Sequence, residues 1–203
     1  MTKIVVDMTI SVDGFVAGPD DTPSQPLGGN GGLRLHDWLL TGPAPYPGNN
    51  FFRPEGRNRD LVDKMFKHTG ALLTGRRTYD LVNGWNGSHP IPGLPIVVLT
   101  HSLPAKVPKG KSDFTFSTDG VAAAAAAARA MAKGRDVMVH GASTACQLLD
   151  ANLVDELFLH IAPLLLGDGR PLFVRGVAPM SLECIETVET PQANHVRYRV
   201  VHR

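Results

Sequence analysis

The group of residues with the clearest chemical potential is Gly75-Arg76-Arg77-Thr78, which follows an apolar run at residues 70–74. This order predicts a strand that ends at the glycine and a helix that begins directly after it. Free N–H groups and the helix dipole attract anions at such a helix start. A doubly charged phosphate, such as the 2′-phosphate of NADP, would accept forked hydrogen bonds from both arginines. An ordinary strand–helix turn with solvated arginines is the alternative interpretation.

Two further polar groups follow apolar runs in the same way. They are Thr100-His101-Ser102 and Gly141-Ala142-Ser143-Thr144. Because ligands of open α/β sheets bind beyond the carboxyl ends of the strands, the three groups could share one ligand. The small residues would let the backbone approach a pyrophosphate, with helix N–H groups directed at it. A glycine turn of this type is also common in proteins without any ligand.

Several well-known signatures are missing from the chain. It has no Gly-x-Gly-x-x-Gly, no P-loop and no Gly-x-Ser-x-Gly, which argues against the usual Rossmann fingerprint, P-loop enzymes and α/β-hydrolases. The eight histidines and two cysteines lack the close spacing of metal ligands, so we expect no metal site.

Composition limits the partners. The 203 residues predict one domain, and 20 basic against 19 acidic residues leave a net charge of +1. No strong field would attract nucleic acid or an anionic membrane. The chain begins with a strand pattern instead of a signal peptide, and no apolar run reaches the roughly 18 residues of a membrane span. We therefore expect a cytoplasmic protein with neither nucleic-acid nor membrane partners.

Alternating strand and helix patterns predict an α/β protein with a mostly parallel sheet and a C-terminal antiparallel hairpin. The predicted strands are 3–10, 70–74, 95–100, 114–117, 136–140, 156–161, 182–190 and 195–202, and the predicted helices are 59–68, 77–83, 121–133 and 143–151. Thr118 and Asp119 are expected to cap the helix that follows them.

The segment 19–57 has a different composition, since 14 of its 39 residues are Gly or Pro. We expect mostly loop, with one short helix at residues 33–40. Long ordered loops in compact domains commonly form lids over binding sites. A disordered segment is the alternative, but the aromatic residues Trp38, Tyr46, Phe51 and Phe52 give this segment apolar surface to bury, which favours a lid.

Taken in order, these motifs resemble the dihydrofolate reductase-like superfamily, and within it the branch that contains the reductase domain of bacterial riboflavin biosynthesis. The resemblance covers nearly the whole chain, through the segments 11–18, 70–79, 98–100, 140–143 and 153–169. It implies a three-layer fold, with a central mixed sheet flanked by helices, and NADPH as the hydride donor.

The resemblance also implies positions for the cofactor. Arg76 and Arg77 would face the adenosine 2′-phosphate, and Thr78 the pyrophosphate. Residues 100–102 would lie beside the adenosine phosphate, and residues 141–144 under the pyrophosphate. Ala17 and Gly18 would cover the nicotinamide, with Thr9 behind them and the turn at Asp168 in support. Dihydrofolate reductases carry a double glycine where this chain has Gly141-Ala142.

Three residues are candidates for the substrate end of the site. Asp37 matches the helix on which dihydrofolate reductases carry a carboxylate, and a partly buried acid there could donate a proton. Trp38 could stack on a flat heterocycle, and His160 follows a strand that lines the cleft. Each has a plain structural alternative: a surface helix residue, a packing residue of the lid and a structural histidine.

The leading hypothesis is an NADPH-dependent reductase of a small heterocycle, of the 5-amino-6-(5-phosphoribosylamino)uracil reductase type. The alternatives are a dihydrofolate or pterin reductase, in which Asp37 is central, and a module that binds NADP without catalysis. The chain has no His-x-Glu with Pro-Cys-x-x-Cys, so it carries no zinc deaminase signature. Reductases of this branch are often dimers, and we expect a homodimer.

Overall fold

A twisted eight-stranded sheet forms the middle of the protein, as a computed structural model of residues 1–173 and 179–202 shows. Its strands are β1 (Ile4–Ser11), β3 (Thr69–Gly75), β4 (Ile96–Leu99), β5 (Phe114–Ser117), β6 (Asp136–His140), β7 (Glu156–Ala162), β9 (Ser181–Glu189) and β10 (Asn194–Val201). Their order is β5-β4-β3-β6-β1-β7-β10-β9. Neighbouring strands from β5 to β7 are parallel, and β10 is antiparallel to both of its neighbours.

Helices cover both faces of the sheet. They are α1 (Asp37–Leu40), α2 (Gly56–His68), α3 (Arg76–Leu81), α4 (Val121–Met131) and α5 (Ala142–Asp150). On one face Ile4 and Val6 of β1 pack with buried alanines of α4, whose small side chains let the helix approach the strands closely. On the other face, Val62 of α2 and Trp38 join a second core. The fold is therefore the predicted three-layer, dihydrofolate reductase-like arrangement.

Most predicted elements are confirmed to within a few residues, including the C-terminal hairpin of β9 and β10. The cap of α4 is a correction. The helix begins after Gly120, which has φ 89°, and no side chain caps it. Thr118 and Asp119 were wrong as caps because the chain needs a positive φ, which glycine adopts without strain, immediately before the helix.

Two very short strands were not predicted. They are β2 (Phe15–Ala17) and β8 (Arg170–Pro171), which pair as a separate antiparallel ribbon. Strands of this length carry too few residues to show an alternating pattern.

The segment 19–57 folds over the carboxyl ends of the parallel strands. Instead of one helix it contains a 3₁₀ helix, Gly32–His36, followed by the single turn of α1. Trp38 and Phe52 are buried, whereas Phe51 is exposed. No helix in the described parts of the chain is long and apolar enough to cross a membrane.

Candidate active site

A cavity of about 1560 Å³ lies between the strand ends and the segment 19–57. Asp7 and Thr9 of β1 line it from the middle of the sheet, and Thr78 and Gly141 line it from two neighbouring turns. Both tryptophans of the chain, Trp38 and Trp85, line it as well, so it combines polar strand ends with aromatic walls. The cavity therefore occupies the position where open α/β sheets bind ligands.

Two of the three predicted polar groups meet at the starts of α3 and α5. Gly141 has φ 98°, and a Cβ atom built on it would lie 2.9 Å from Thr78 Oγ1. A Cβ atom on Gly75 would lie 2.7 Å from Thr144 Oγ1. No side chain caps either helix start, so their first N–H groups are free of such partners. This cradle of small residues and N–H donors suits a phosphate group.

The third predicted group contacts the start of α3 through Arg76, and neither Arg76 nor residues 100–102 are among the residues that line the cavity. Arg76 Nη1 donates to the carbonyl oxygen of Ser102 at 3.0 Å, and its Nε lies 2.8 Å from Asp80 Oδ1. Thr100 Oγ1 donates to the same carbonyl at 2.8 Å, and His101 beside it is exposed. The end of β4 and the start of α3 thus form one polar surface.

Arg77 turns in a different direction, towards the segment 19–57. Its Nη2 lies 2.6 Å from Asp21 Oδ1, and Arg170 Nη2 lies 3.3 Å from the same oxygen. Burial alone would raise the pKa of Asp21, but the two arginines outweigh burial and hold the pKa below its usual value. The structure therefore does not bring the guanidinium groups of Arg76 and Arg77 together on one point.

The ribbon of β2 and β8 supports the predicted nicotinamide loop. Ala17 lines the cavity and pairs with Arg170, and the turn at residues 167–169 packs against Gly18. Asp168 accepts a hydrogen bond from the N–H of Gly169, within its own turn. The side chain that ties this turn to the end of β1 is Asp13, whose carboxylate accepts from the N–H of Gly167 at 2.7 Å.

Trp38 is a buried packing residue that also reaches the cavity. Its Nε1 donates to Thr9 Oγ1 at 3.1 Å, and its ring lies 4.3 Å from the ring of His160. The side chain is 3% exposed, yet one part of it lines the cavity. His160 is buried behind Trp38 and is not among the residues that line the cavity.

Asp37 lies at the start of α1 and is not among the residues that line the cavity. Its nearest charged partner is Arg34, with Nε 3.9 Å from Asp37 Oδ2, and its side chain is 38% exposed. The geometry favours Asp7 instead, because its carboxylate lines the cavity on the central strand. A signal for Asp7 was present in the sequence: it is the one charged residue within the apolar run of β1.

Two histidines act on Asp7, namely His140, which lines the cavity, and His160, which lies behind Trp38. Burial lowers the pKa of His140, and burial together with His140 and His160 lowers the pKa of His36 to about 4. Burial alone would raise the pKa of Asp7, but His160, His140 and Arg197 outweigh burial, so that the pKa lies below its usual value.

Within the described residues, no group of three or more acidic, histidine or cysteine side chains could hold a metal ion.

The sheet order and the cradle at its parallel strand ends define a protein of the dihydrofolate reductase-like fold. The chain belongs to the RibD C-terminal domain family, whose model matches residues 2–196. Membership in this family supports a reductase of the riboflavin-biosynthesis type. No curated protein matches the chain at a significant level.

Solved structures with a similar fold come from several organisms. A Shewanella protein described as a riboflavin biosynthesis protein matches with a TM-score of 0.68 and 23% identity over 100% of both chains. The deaminase/5-amino-6-(5-phosphoribosylamino)uracil reductase of Thermotoga maritima matches with a TM-score of 0.58 and 14% identity. The match covers 98% of this chain and 57% of that chain. Dihydrofolate reductase of Enterococcus faecalis, complexed with NADP(H), matches with a TM-score of 0.56 and 14% identity. The match covers 98% of this chain and 96% of that chain.

Proposed function

We propose that this protein is an NADPH-dependent reductase that transfers hydride to a small heterocyclic substrate, of the 5-amino-6-(5-phosphoribosylamino)uracil reductase type. The observation that carries the proposal is the cradle formed by Gly75 and Gly141 between the uncapped starts of α3 and α5. When bound, NADPH supplies the hydride, and the protein has to hold two flat rings in contact and exclude water.

The donors around the cradle suit the different phosphates of the cofactor. Thr78 and the N–H groups of residues 142–144 would hold the pyrophosphate. Arg76, with the polar strand end at Thr100 and Ser102, would hold the 2′-phosphate, and its hydrogen bond to the carbonyl oxygen of Ser102 supports this assignment. His101 is exposed at the same edge and would complete this surface. Ala17, Gly18 and Thr9 would adjoin the nicotinamide.

The segment 19–57 would act as the lid that excludes water. Asp21 binds this segment to Arg77 of α3 and to Arg170 of β8, two elements far apart in the chain that both line the cavity. Arg77 and Asp21 form a bidentate pair, because Arg77 Nε also donates to Asp21 Oδ2 at 3.2 Å. NADPH is therefore expected to protect this segment from proteolysis.

The substrate would lie between the nicotinamide and the aromatic wall that contains Trp38. The heterocycle would contact the exposed part of the indole, and Thr9 would hold the indole in place through its hydrogen bond. His160 would support the ring of Trp38 from behind. Asp37 stays a sequence-based candidate for the acid, and the pterin reductase alternative, which gives it the central role, has no contact with the cavity to support it.

The test is a titration of the purified protein with NADPH and with NADH, followed by tryptophan fluorescence. Trp38 and Trp85 both line the cavity, so a bound dinucleotide should change their emission. We expect tighter binding of NADPH. Turnover is then measured with 5-amino-6-(5-phosphoribosylamino)uracil and with dihydrofolate. Absence of NADPH binding would refute the proposal, and binding without turnover of either compound would favour the non-catalytic module.

We further propose a cytoplasmic homodimer. The two cysteines, Cys146 and Cys184, are unpaired, which agrees with a reducing compartment. The edge strand β9 leaves Leu182 and Ile185 exposed, and a second copy of the chain would cover them. Light scattering of the wild type and of Ile185→Glu tests the dimer: a monomeric wild type would contradict it.

A further inference from the structure

A chain of hydrogen bonds runs from the protein surface at the start of α2 to the edge of the cavity. It begins at Glu55, whose Oε1 lies 3.4 Å from Gln192 Nε2. Gln192 Oε1 then lies 3.0 Å from Asn58 Nδ2, and Asn58 Oδ1 lies 3.1 Å from His195 Nε2. An ionised carboxylate can only accept hydrogen bonds, so it fixes the orientation of each amide that follows. In consequence His195 Nε2 must carry a hydrogen and donate it to Asn58.

Thr190 independently assigns the same hydrogen to His195. The hydroxyl of Thr190 donates to the carbonyl oxygen of Ala193 at 2.9 Å, so it can only accept from His195 Nε2 at 3.4 Å. His195 is fully buried, and burial, with a contribution from His160, lowers its pKa to about 3. A neutral imidazole with its hydrogen on Nε2 leaves Nδ1 as an acceptor.

The acceptor on His195 determines the state of His160. The two Nδ1 atoms lie 2.7 Å apart, so His160 has to donate through Nδ1. Its other nitrogen, Nε2, lies 3.1 Å from Asp7 Oδ1. If Nε2 carried no hydrogen and Asp7 were ionised, two lone pairs would face each other in a buried site. One proton must therefore be shared between Asp7 and His160.

Of the two members of this pair, Asp7 is the one that offers the proton a way into the cavity. The ring of Trp38 covers His160, which is 2% exposed, whereas the Asp7 side chain is 17% exposed and lines the cavity. At the other end, Asn58 and His195 are buried. The shared proton thus has an exit on the substrate side.

We propose that Asp7 and His160 share one proton beside the cavity, that this proton reaches the substrate through Asp7, and that His195 and Asn58 are positioning residues that direct it to the pair. The step itself depends on the reductase function proposed above. When bound, NADPH would supply hydride to the carbon of a C=N or C=O bond of the substrate. Asp7 would then give the shared proton to the nitrogen or oxygen atom that receives the electron pair of the π bond. Solvent returns one proton to the pair before the next turnover.

The first test needs neither cofactor nor substrate. Long-range ¹H–¹⁵N correlation spectra of histidine-labelled protein, assigned with His160→Gln and His195→Gln, report which ring nitrogens carry hydrogen. We expect a neutral His195 protonated at Nε2 and a His160 protonated at Nδ1. A neutral His195 protonated at Nδ1 would overturn the proposal.

The second test uses Asn58→Asp to reverse the direction of the hydrogen bond between His195 and His160. A carboxylate at this position would favour a charged His195, whose Nδ1 would then donate to His160 and withdraw the shared proton from Asp7. We expect kcat to fall by roughly 100-fold, the lower range for loss of a general acid, with the Kd of NADPH unchanged and the shift of His195 to the doubly protonated form visible in the spectra.

Asn152→Asp is the matched control, because Asn152 Oδ1 also contacts a histidine, His202 Nδ1 at 2.7 Å, but on the exposed surface. It should leave kcat unchanged. A folded Asn58→Asp protein with a charged His195 and wild-type kcat would overturn the role of the proton. If the wild type neither binds NADPH nor turns over, the proposed function fails, while the spectra still decide the shared proton.

Discussion

Arg76 and Arg77 are neighbours in the chain, yet their guanidinium groups bind different parts of the molecule. Arg76 donates to the carbonyl oxygen of Ser102 at the end of β4, whereas Arg77 pairs with Asp21 in the segment 19–57. The first residues of a helix project about 100° apart, so adjacent side chains cannot share one face. The two arginines therefore have separable roles.

Arg76→Ala should lower the affinity for NADPH more than that for NADH. A charge-assisted hydrogen bond contributes about 1.5–3 kcal/mol, which corresponds to roughly 10- to 100-fold in Kd. Arg77→Ala is the matched variant and should leave the ratio of the two Kd values unchanged. Fluorescence titration with both cofactors measures this. If the ratio of the Kd values for NADPH and NADH changed only in Arg77→Ala, Arg77 would be the residue that binds the 2′-phosphate. Asp21 would then have to move away from Arg77.

Gly141→Ala should weaken the binding of NADPH without unfolding the protein. The residue has φ 98°, and the new Cβ would lie 2.9 Å from Thr78 Oγ1, in the middle of the cradle. Backbone strain of this kind costs on the order of 1–3 kcal/mol, so we expect both a small loss of stability and a loss of roughly tenfold or more in affinity. Gly134→Ala is the control, since it has φ 85° but open space around it. Equal affinities for the two variants would argue against the cradle.

The two candidate acids can be compared directly. Asp7→Asn should reduce kcat by roughly 100-fold, because it removes the carboxyl group that lines the cavity. Asp37→Asn should cost much less, since Asp37 contacts Arg34 outside the cavity lining. Steady-state rates at saturating NADPH give the comparison. If Asp37→Asn shows the larger loss, the lid must rearrange to bring Asp37 to the substrate, and the pterin reductase alternative gains support.

Buried histidines should make the protein less stable in acid. Burial lowers the pKa of both His89 and His195 to about 3, against 6.5 for an exposed histidine. Below pH 6.5 the unfolded chain takes up protons that the folded protein does not, so the free energy of unfolding decreases as the pH falls towards about 4. Each of the two groups contributes at most about 1.4 kcal/mol per pH unit in this range.

Urea unfolding at several pH values measures this slope. His89→Leu should reduce this slope by at most about 1.4 kcal/mol per pH unit, the contribution of one proton. The substitution also removes the acceptor for the N–H of Ile91, which affects stability at every pH but not the slope. The contribution of these two groups to the slope falls to about half at pH 6.5 and fades within about one pH unit above it. An unfolding free energy that stays constant between about pH 6.5 and 4 would mean that both histidines titrate normally.

The sequence determined most strands and helices, and the family resemblance implied their three-layer arrangement. Hydrophobic runs, glycine turns and helix starts are local signals, because each depends on residues close together in the chain. For this reason the strands and the C-terminal hairpin followed from the chain alone, and the turns at Gly75 and Gly141 were candidates for one shared ligand. The short strands β2 and β8 did not, since their pairing depends on residues more than 150 positions apart.

Only the tertiary structure decided which side chains act together. The alternating pattern of β1 shows that Asp7 and Thr9 share one face, but not that His160 and His195 stand beside them, because this depends on the register of β7 and β10. In the same way, the divergence of Arg76 and Arg77 is set by contacts with distant segments. Long-range pairing fixes hydrogen-bond partners, and through them the charge and direction of each group, which no local pattern of residues contains.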